Sequence, residues 1–162
     1  MSQSECKVVN IFLDKDSGAP VVLLKDVGSD DILPIVIAPL EASMIAIEIE
    51  GKKPVRPLTH DLIINILREF KYTVDSIVIH DLKNNIYYAQ LNLSSESGPA
   101  GVDCRPSDAI AIALRSGAPI YVSRKVFVLA MGVENMTHSM DKETLKEMLE
   151  DLDIDDVGGK LM

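Results

Sequence analysis

The sequence predicts an α+β protein in which strands pair mainly as antiparallel hairpins and pack against helices. Three observations carry that reading. Apolar, β-branched runs of strand length come in pairs around short turn-like clusters: residues 7 to 14 with 20 to 26 around D-K-D-S-G-A, and 72 to 82 with 86 to 93 around K-N-N. Segments with helical apolar spacing, or with Pro near the start and Gly past the end, lie between and after these pairs. Residues 141 to 152 read as a separate acidic helix.

In the first pair, K-V-V-N-I-F-L-D and P-V-V-L-L-K-D form a hairpin with Gly18 available for positive φ. I-L-P-I-V-I at 32 to 37 is a third strand, and because Pro34 cannot donate to a ladder it belongs at an edge or a bulge. In P-L-E-A-S-M-I-A-I-E-I-E-G, M-I-A-I-E-I-E alternates partly like a strand. Pro39 suits a first helical position, Gly51 suits the residue past a helix end, and Ala42, Ile45, Ala46 and Ile49 share one face, so length and flanks favour a helix.

G-K-K-P-V-R-P follows as a stiff basic loop, its two prolines fixing where Arg56 is delivered. L-T-H-D-L-I-I-N-I-L-R-E-F predicts a helix with Thr59 as N-cap and Leu62, Ile63, Ile66, Leu67 and Phe70 as its apolar stripe. After the second hairpin, S-S-E-S-G-P-A-G reads as a surface loop. Pro106 opens the next helix with Asp108 near its third position, and Ala109 to Leu114 is apolar all round, which predicts burial; Gly117 ends it. P-I-Y-V is a short strand, and K-V-F-V-L-A-M-G fits strand or helix.

A chain of 162 residues fits one domain with an appendage, drawn here as 1 to 135 followed by an acidic helical extension over 136 to 162. In the extension Asp141 suits a cap, Met140 and Leu145 a hydrophobic staple, and Leu145, Met148, Leu149 and Leu152 a stripe able to dock a protein partner. Cys6 and Cys104 match no metal or C-x-x-C pattern, so a reduced intracellular chain is the simplest reading, with a disulfide between them left open by spacing alone. No signal-like N-terminus and no eighteen-residue apolar run occur, which predicts a cytoplasmic protein without a membrane segment. The net charge of −9 is concentrated in 141 to 156; up to residue 140 the balance is −4. That leaves no global field for a polyanion, so nucleic-acid binding has to be local.

The common phosphate-loop, dinucleotide, zinc-protease, serine-hydrolase and EF-hand signatures are absent. What remains are two helix starts of similar make. R-P-L-T-H-D offers Arg56, Thr59, His60 and Asp61; D-C-R-P-S-D offers Asp103, Arg105, Ser107 and Asp108. Guanidinium, hydroxyl and carboxylate groups beside free backbone N–H donors suit a phosphate group.

E-A-S-M-I-A-I-E-I-E-G, R-P-L-T-H-D-L, Y-Y-A-Q-L and V-D-C-R-P-S-D-A-I-A-I-A-L-R resemble the bifunctional nuclease domain family over residues 7 to 130, with Ile112 where that family usually has leucine. The resemblance implies a mixed sheet, self-association with a dimer favoured, and activity on RNA and DNA. For phosphodiester hydrolysis, His60 is the candidate base, because the positive end of a helix favours a neutral ring. If the two helix starts meet, Asp61, Asp103 and Asp108 are candidates to act with Mg²⁺ or Mn²⁺, Asp103 and Asp108 as the metal ligands. Arg56, Arg105, Thr59, Ser107, Lys52 and Lys53 are candidates to hold the strand. Two plainer readings compete: the acids as helix-start residues and the Arg/Asp pairs as ordinary ion pairs, in a non-catalytic oligomeric module that docks a partner through its acidic helix.

Overall fold

The computed structural model of the chain describes residues 2–134. Its order is β1 (Gln3–Leu13), β2 (Pro20–Asp26), β3 (Ile32–Val36), α1 (Pro39–Ile49), α2 (Thr59–Glu69), β4 (Thr73–Lys83), β5 (Ile86–Ser95), β6 (Gly98–Cys104), α3 (Pro106–Ser116), β7 (Ile120–Ser123) and α4 (Arg124–Glu134). Met1–Ala130 forms one compact unit and Met131–Met162 a second, of which only the end of α4 is described. The acidic helix expected over 141 to 152 lies outside the described residues.

The strands form one seven-stranded mixed sheet in the order β3-β2-β1-β7-β4-β5-β6. Every pairing is antiparallel except β4 with β7. A parallel pair needs a crossover, and the chain between β4 and β7 supplies α3 for it. Short β7 thus lies in the middle of the sheet, with Ile120 opposite both Cys6 and Ile77. Pro34 sits on edge strand β3, where its missing N–H costs no ladder bond. The β4–β5 turn is Asn84-Asn85, both at positive φ, the geometry a two-residue hairpin loop requires.

In a flat sheet β3 and β5 would lie about 24 Å apart, five strand spacings. Yet the Tyr87 hydroxyl of β5 donates to the Pro34 carbonyl at 3.5 Å. The sheet therefore curls, helped by the β4 irregularity between Ile79 and Asp81. Val22, Leu24, Leu33, Ile77, Ile79 and Val122 from the strands and Ile110, Val126 and Phe127 from the helices are fully buried. As predicted, α3 is buried over Ala109 to Ala113, and Gly117 ends it in the left-handed region at φ 73°. The run 125 to 132 is helical.

Three expectations are corrected. The loop read over S-S-E-S-G-P-A-G contains the start of β6, which pairs along β5 from Ser95↔Gly98 to Ala89↔Cys104. Thr59 is not the cap of α2: Leu58 occupies that position, and the Asp61 carboxylate accepts the Leu58 N–H at 2.8 Å. The stripe of α2 is only partly covered: Ile63 and Leu67 are half-buried, Leu62, Ile66 and Phe70 are exposed, and the buried residue of this helix is His60. Cys6 and Cys104 are free thiols.

Candidate functional site

Each of the three helices α1, α2 and α3 carries an acid at its third position: Glu41, Asp61 and Asp108. That is where a carboxylate gains most from free N–H groups and the positive helix end. In the folded protein these acids are drawn together by two arginines of α3, one at each end.

Arg105 caps the start of α3. Its Nε donates to Asp108 Oδ2 at 2.7 Å, its Nη2 to Asp108 Oδ1 at 3.2 Å, and its Nη1 to Glu41 Oε1 at 2.7 Å. His60 Nε2 lies 3.0 Å from Asp108 Oδ1, so the two helix starts meet at this contact. Burial pushes the Asp108 carboxyl up, but the hydrogen bonds from Arg105 and His60 outweigh it and hold the group below its ordinary value. An ionised carboxylate only accepts, so Nε2 carries the hydrogen and donates it. In a neutral ring the lone pair is then on Nδ1, which is buried and has no partner among the described residues, as is true of Glu41 Oε2. Three of the five Arg105 N–H donors are spent on these acids, and the side chain is 65% exposed, leaving two donors for a ligand.

Arg115, at the far end of α3, makes a second junction. With its side chain 3% exposed, its Nε donates to Asp61 Oδ1 at 3.0 Å and lies 3.6 Å from Glu48 Oε1. Its Nη1 and Nη2 donate to the carbonyls of Ala111 and Met44, each at 3.0 Å. One buried cation thus ties α1, α2 and α3 together. On the open side of this junction Glu48, Lys52, Lys53, Pro54, Val55, Arg56, Pro57 and Asp61 line a pocket of about 350 Å³.

Of the residues predicted for the site, His60, Asp108 and Arg105 form one bonded cluster. Asp61 is beside His60 in sequence but bonded to Arg115, and Lys52, Lys53 and Arg56 share the pocket with it. Thr59 is exposed and Ser107 buried, and neither hydroxyl makes a hydrogen bond among the described residues. Asp103 stands apart. It is opposite Gln90 in the ladder, on the side of the sheet away from buried Ala89, Leu91 and Leu93, with no hydrogen bond or ion pair among the described residues. Both oxygens of Asp108 are taken by Arg105 and His60, and among the described residues no three His, Cys, Asp or Glu groups converge to hold a metal ion. Of the two acids expected as metal ligands, Asp108 thus has no open oxygen, and the carboxylate oxygen of this cluster left without a partner is Glu41 Oε2.

Glu41, Glu48 and Arg115 were not among the sequence candidates. The signal for Arg115 is a single guanidinium closing a helix that is otherwise apolar all round, since a buried arginine needs acids to pair with. The signal for Glu41 is its repeat of the Asp108 position, two residues after a helix-opening proline.

An α+β domain with a curled, mixed sheet and paired helix-start ion clusters defines the class. The bifunctional nuclease domain model matches residues 22–135, and the chain belongs to that family. An uncharacterised protein of Mycobacterium tuberculosis (strain ATCC 25618 / H37Rv) is 40% identical over 126 residues, 78% of this chain and 75% of that one. Bifunctional nuclease 1 of Oryza sativa subsp. japonica is 29% identical over 109 residues, and bifunctional nuclease 2 of Arabidopsis thaliana 27% over 107. The matches cover 65% and 64% of this chain but only 33% and 32% of the two plant proteins. Among the described residues no helix is long and apolar enough to cross a membrane.

Proposed function

We propose that this protein hydrolyses phosphodiester bonds of RNA or DNA at the His60–Asp108–Arg105–Glu41 cluster. The observation that carries the reading is the 3.0 Å contact between His60 Nε2 and Asp108, which leaves Nδ1 as a lone pair without a partner. Asp108 orients the ring and stabilises it once protonated, as a carboxylate does for a general-base histidine. The two spare Arg105 donors bind the non-bridging phosphate oxygens, where negative charge grows in the transition state. Water attacks phosphorus, its proton passes to Nδ1, the P–O bond to the leaving oxygen breaks, and that oxygen takes a proton from solvent. Because Nδ1 is closed off, the reading requires a covering side chain to move when a strand binds. The names of the plant relatives support a nucleic-acid substrate.

Divalent-ion dependence is part of the same test. Protein freed of contaminating nucleases is assayed on single-stranded RNA and DNA with Mg²⁺, with Mn²⁺ and with EDTA, alongside His60→Gln and Asp108→Asn. Cutting abolished by EDTA would mean that an ion enters with the substrate. Cutting that persists undiminished in both variants would reject the cluster as the active site.

A specific observation also supports self-association. The exposed Leu62, Ile66 and Phe70 recur every four residues along the outer face of α2. We propose that this stripe is the contact of a homodimer. Phe70→Asp should then shift the mass measured by light scattering from dimer to monomer, and an unchanged mass would reject it.

A further inference from the structure

We propose that the pocket beside Arg115 binds the terminal phosphomonoester of a nucleic-acid strand. The class of ligand rests on the nuclease reading; the anion site rests on the charges of the pocket itself. Its two carboxylates, Glu48 and Asp61, are already held by buried Arg115. Lys52 is paired with Glu50. Lys53 and Arg56 line the same pocket and have no ion pair among the described residues; Arg115 offsets one of the two carboxylates, so the pocket and its partners carry a net positive charge in a chain whose net charge is −9.

The two unpaired side chains can each meet a charged oxygen of a phosphomonoester, which carries close to two negative charges at neutral pH where an internal phosphodiester carries one. The pocket, about 350 Å³, lies at the small end of ligand sites and has room for a chain end or a single nucleotide. Pro54 and Pro57 restrict the loop on both sides of Arg56, which reduces the ordering cost of binding. Asp61 lines this pocket and His60 precedes it, so an anchored end is held beside the first turn of α2 that carries the proposed base. Cutting should therefore start near ends.

The test measures binding by fluorescence anisotropy, using oligonucleotides with a hydrolysis-resistant backbone that differ only in a 5′-phosphate, a 3′-phosphate or neither. One phosphorylated end should bind the intact protein about tenfold more tightly than the bare oligonucleotide, the gain expected from one charge-assisted contact. Lys53→Gln/Arg56→Gln should erase that difference, whereas His60→Gln should keep it. Inorganic phosphate should compete for the phosphorylated end, and the preference should fall as pH drops below about 6, where the monoester takes up a proton. Equal affinity for all three oligonucleotides would overturn the proposal, as would a preference that survives in the double variant. No step depends on cutting, so a failed nuclease assay and a failed end preference are separate results.

Discussion

Arg115 is a buried guanidinium that faces the two carboxylates of Asp61 and Glu48 and whose remaining donors reach two helix carbonyls. Removing one partner from a buried ion cluster leaves the others uncompensated, which costs about 3–5 kcal/mol. Arg115→Met keeps length and loses charge, so urea denaturation should show a loss in that range. Arg105 differs: its own side chain is mostly exposed, which screens its pair with Asp108, but its other partner Glu41 is buried with one oxygen already unpartnered, so Arg105→Met should cost about 1–3 kcal/mol. Its loss should appear in cutting as well. The sequence pointed to Arg105, His60 and Asp108 because each stands at a recognisable helix start. Arg115 is marked only by closing an apolar helix, nothing local distinguishes Glu48 from a solvated glutamate, and only the packing of α1 on α3 brings them together.

Among the elements, β6 shows why a strand can be missed. G-P-A-G-V-D-C contains two glycines and a proline and lacks the β-branched alternation that marked the other strands. It is an edge strand held by its ladder to β5, a partner its own residues do not reveal. Gly101 has a specific reason to be there: a Cβ would stand 2.5 Å from Gln90 Nε2 and 2.9 Å from its Cδ. Gln90 in turn donates to Asn92 at 2.9 Å. Gly101→Ala should push Gln90 out of that bond and cost about 1 kcal/mol, the worth of one such contact, and Gln90→Ala on top of it should recover most of the loss. Thermal denaturation of the four proteins checks this cycle. Helix α2 was found correctly, but only part of its stripe is covered. Its periodicity shows an apolar stripe, but the contacts of His60 with Asp108 and of Asp61 with Arg115 set which side turns inward.

For the molecule as a whole, ion pairs set the pH range of stability. Hydrogen bonds from Lys83 and Lys125 hold Asp81 down to about 2, and Asp108 is also held below its ordinary value. For such depressed carboxyls the stabilisation is present above the unfolded value and is lost as pH falls through the folded one. Unfolding midpoints should therefore drop as pH falls from about 4 to about 2, and Asp81→Asn should flatten that drop. At the alkaline side burial pushes the Cys6 thiol up to about 12 and the Cys104 thiol to about 11. Both stay protonated when the unfolded chain ionises, so stability should also fall above about pH 9. The hairpins and the buried α3 were legible because their signals are local. The central place of β7 was not, since a four-residue strand between β1 and β4 is fixed by pairings far apart in the chain.

The central claim is that His60, held by Asp108, acts as the base beside a phosphate bound by Arg105. The most direct measurement is the single-turnover cutting rate of the intact protein, His60→Gln and Arg105→Lys on one labelled single-stranded substrate, each protein shown to be folded by its unfolding midpoint. The account predicts a loss of about a hundredfold or more for His60→Gln, the scale of a general base, and a loss of at least about tenfold for Arg105→Lys, which keeps the charge without the fork. Rates within twofold of the intact protein for both variants would contradict it.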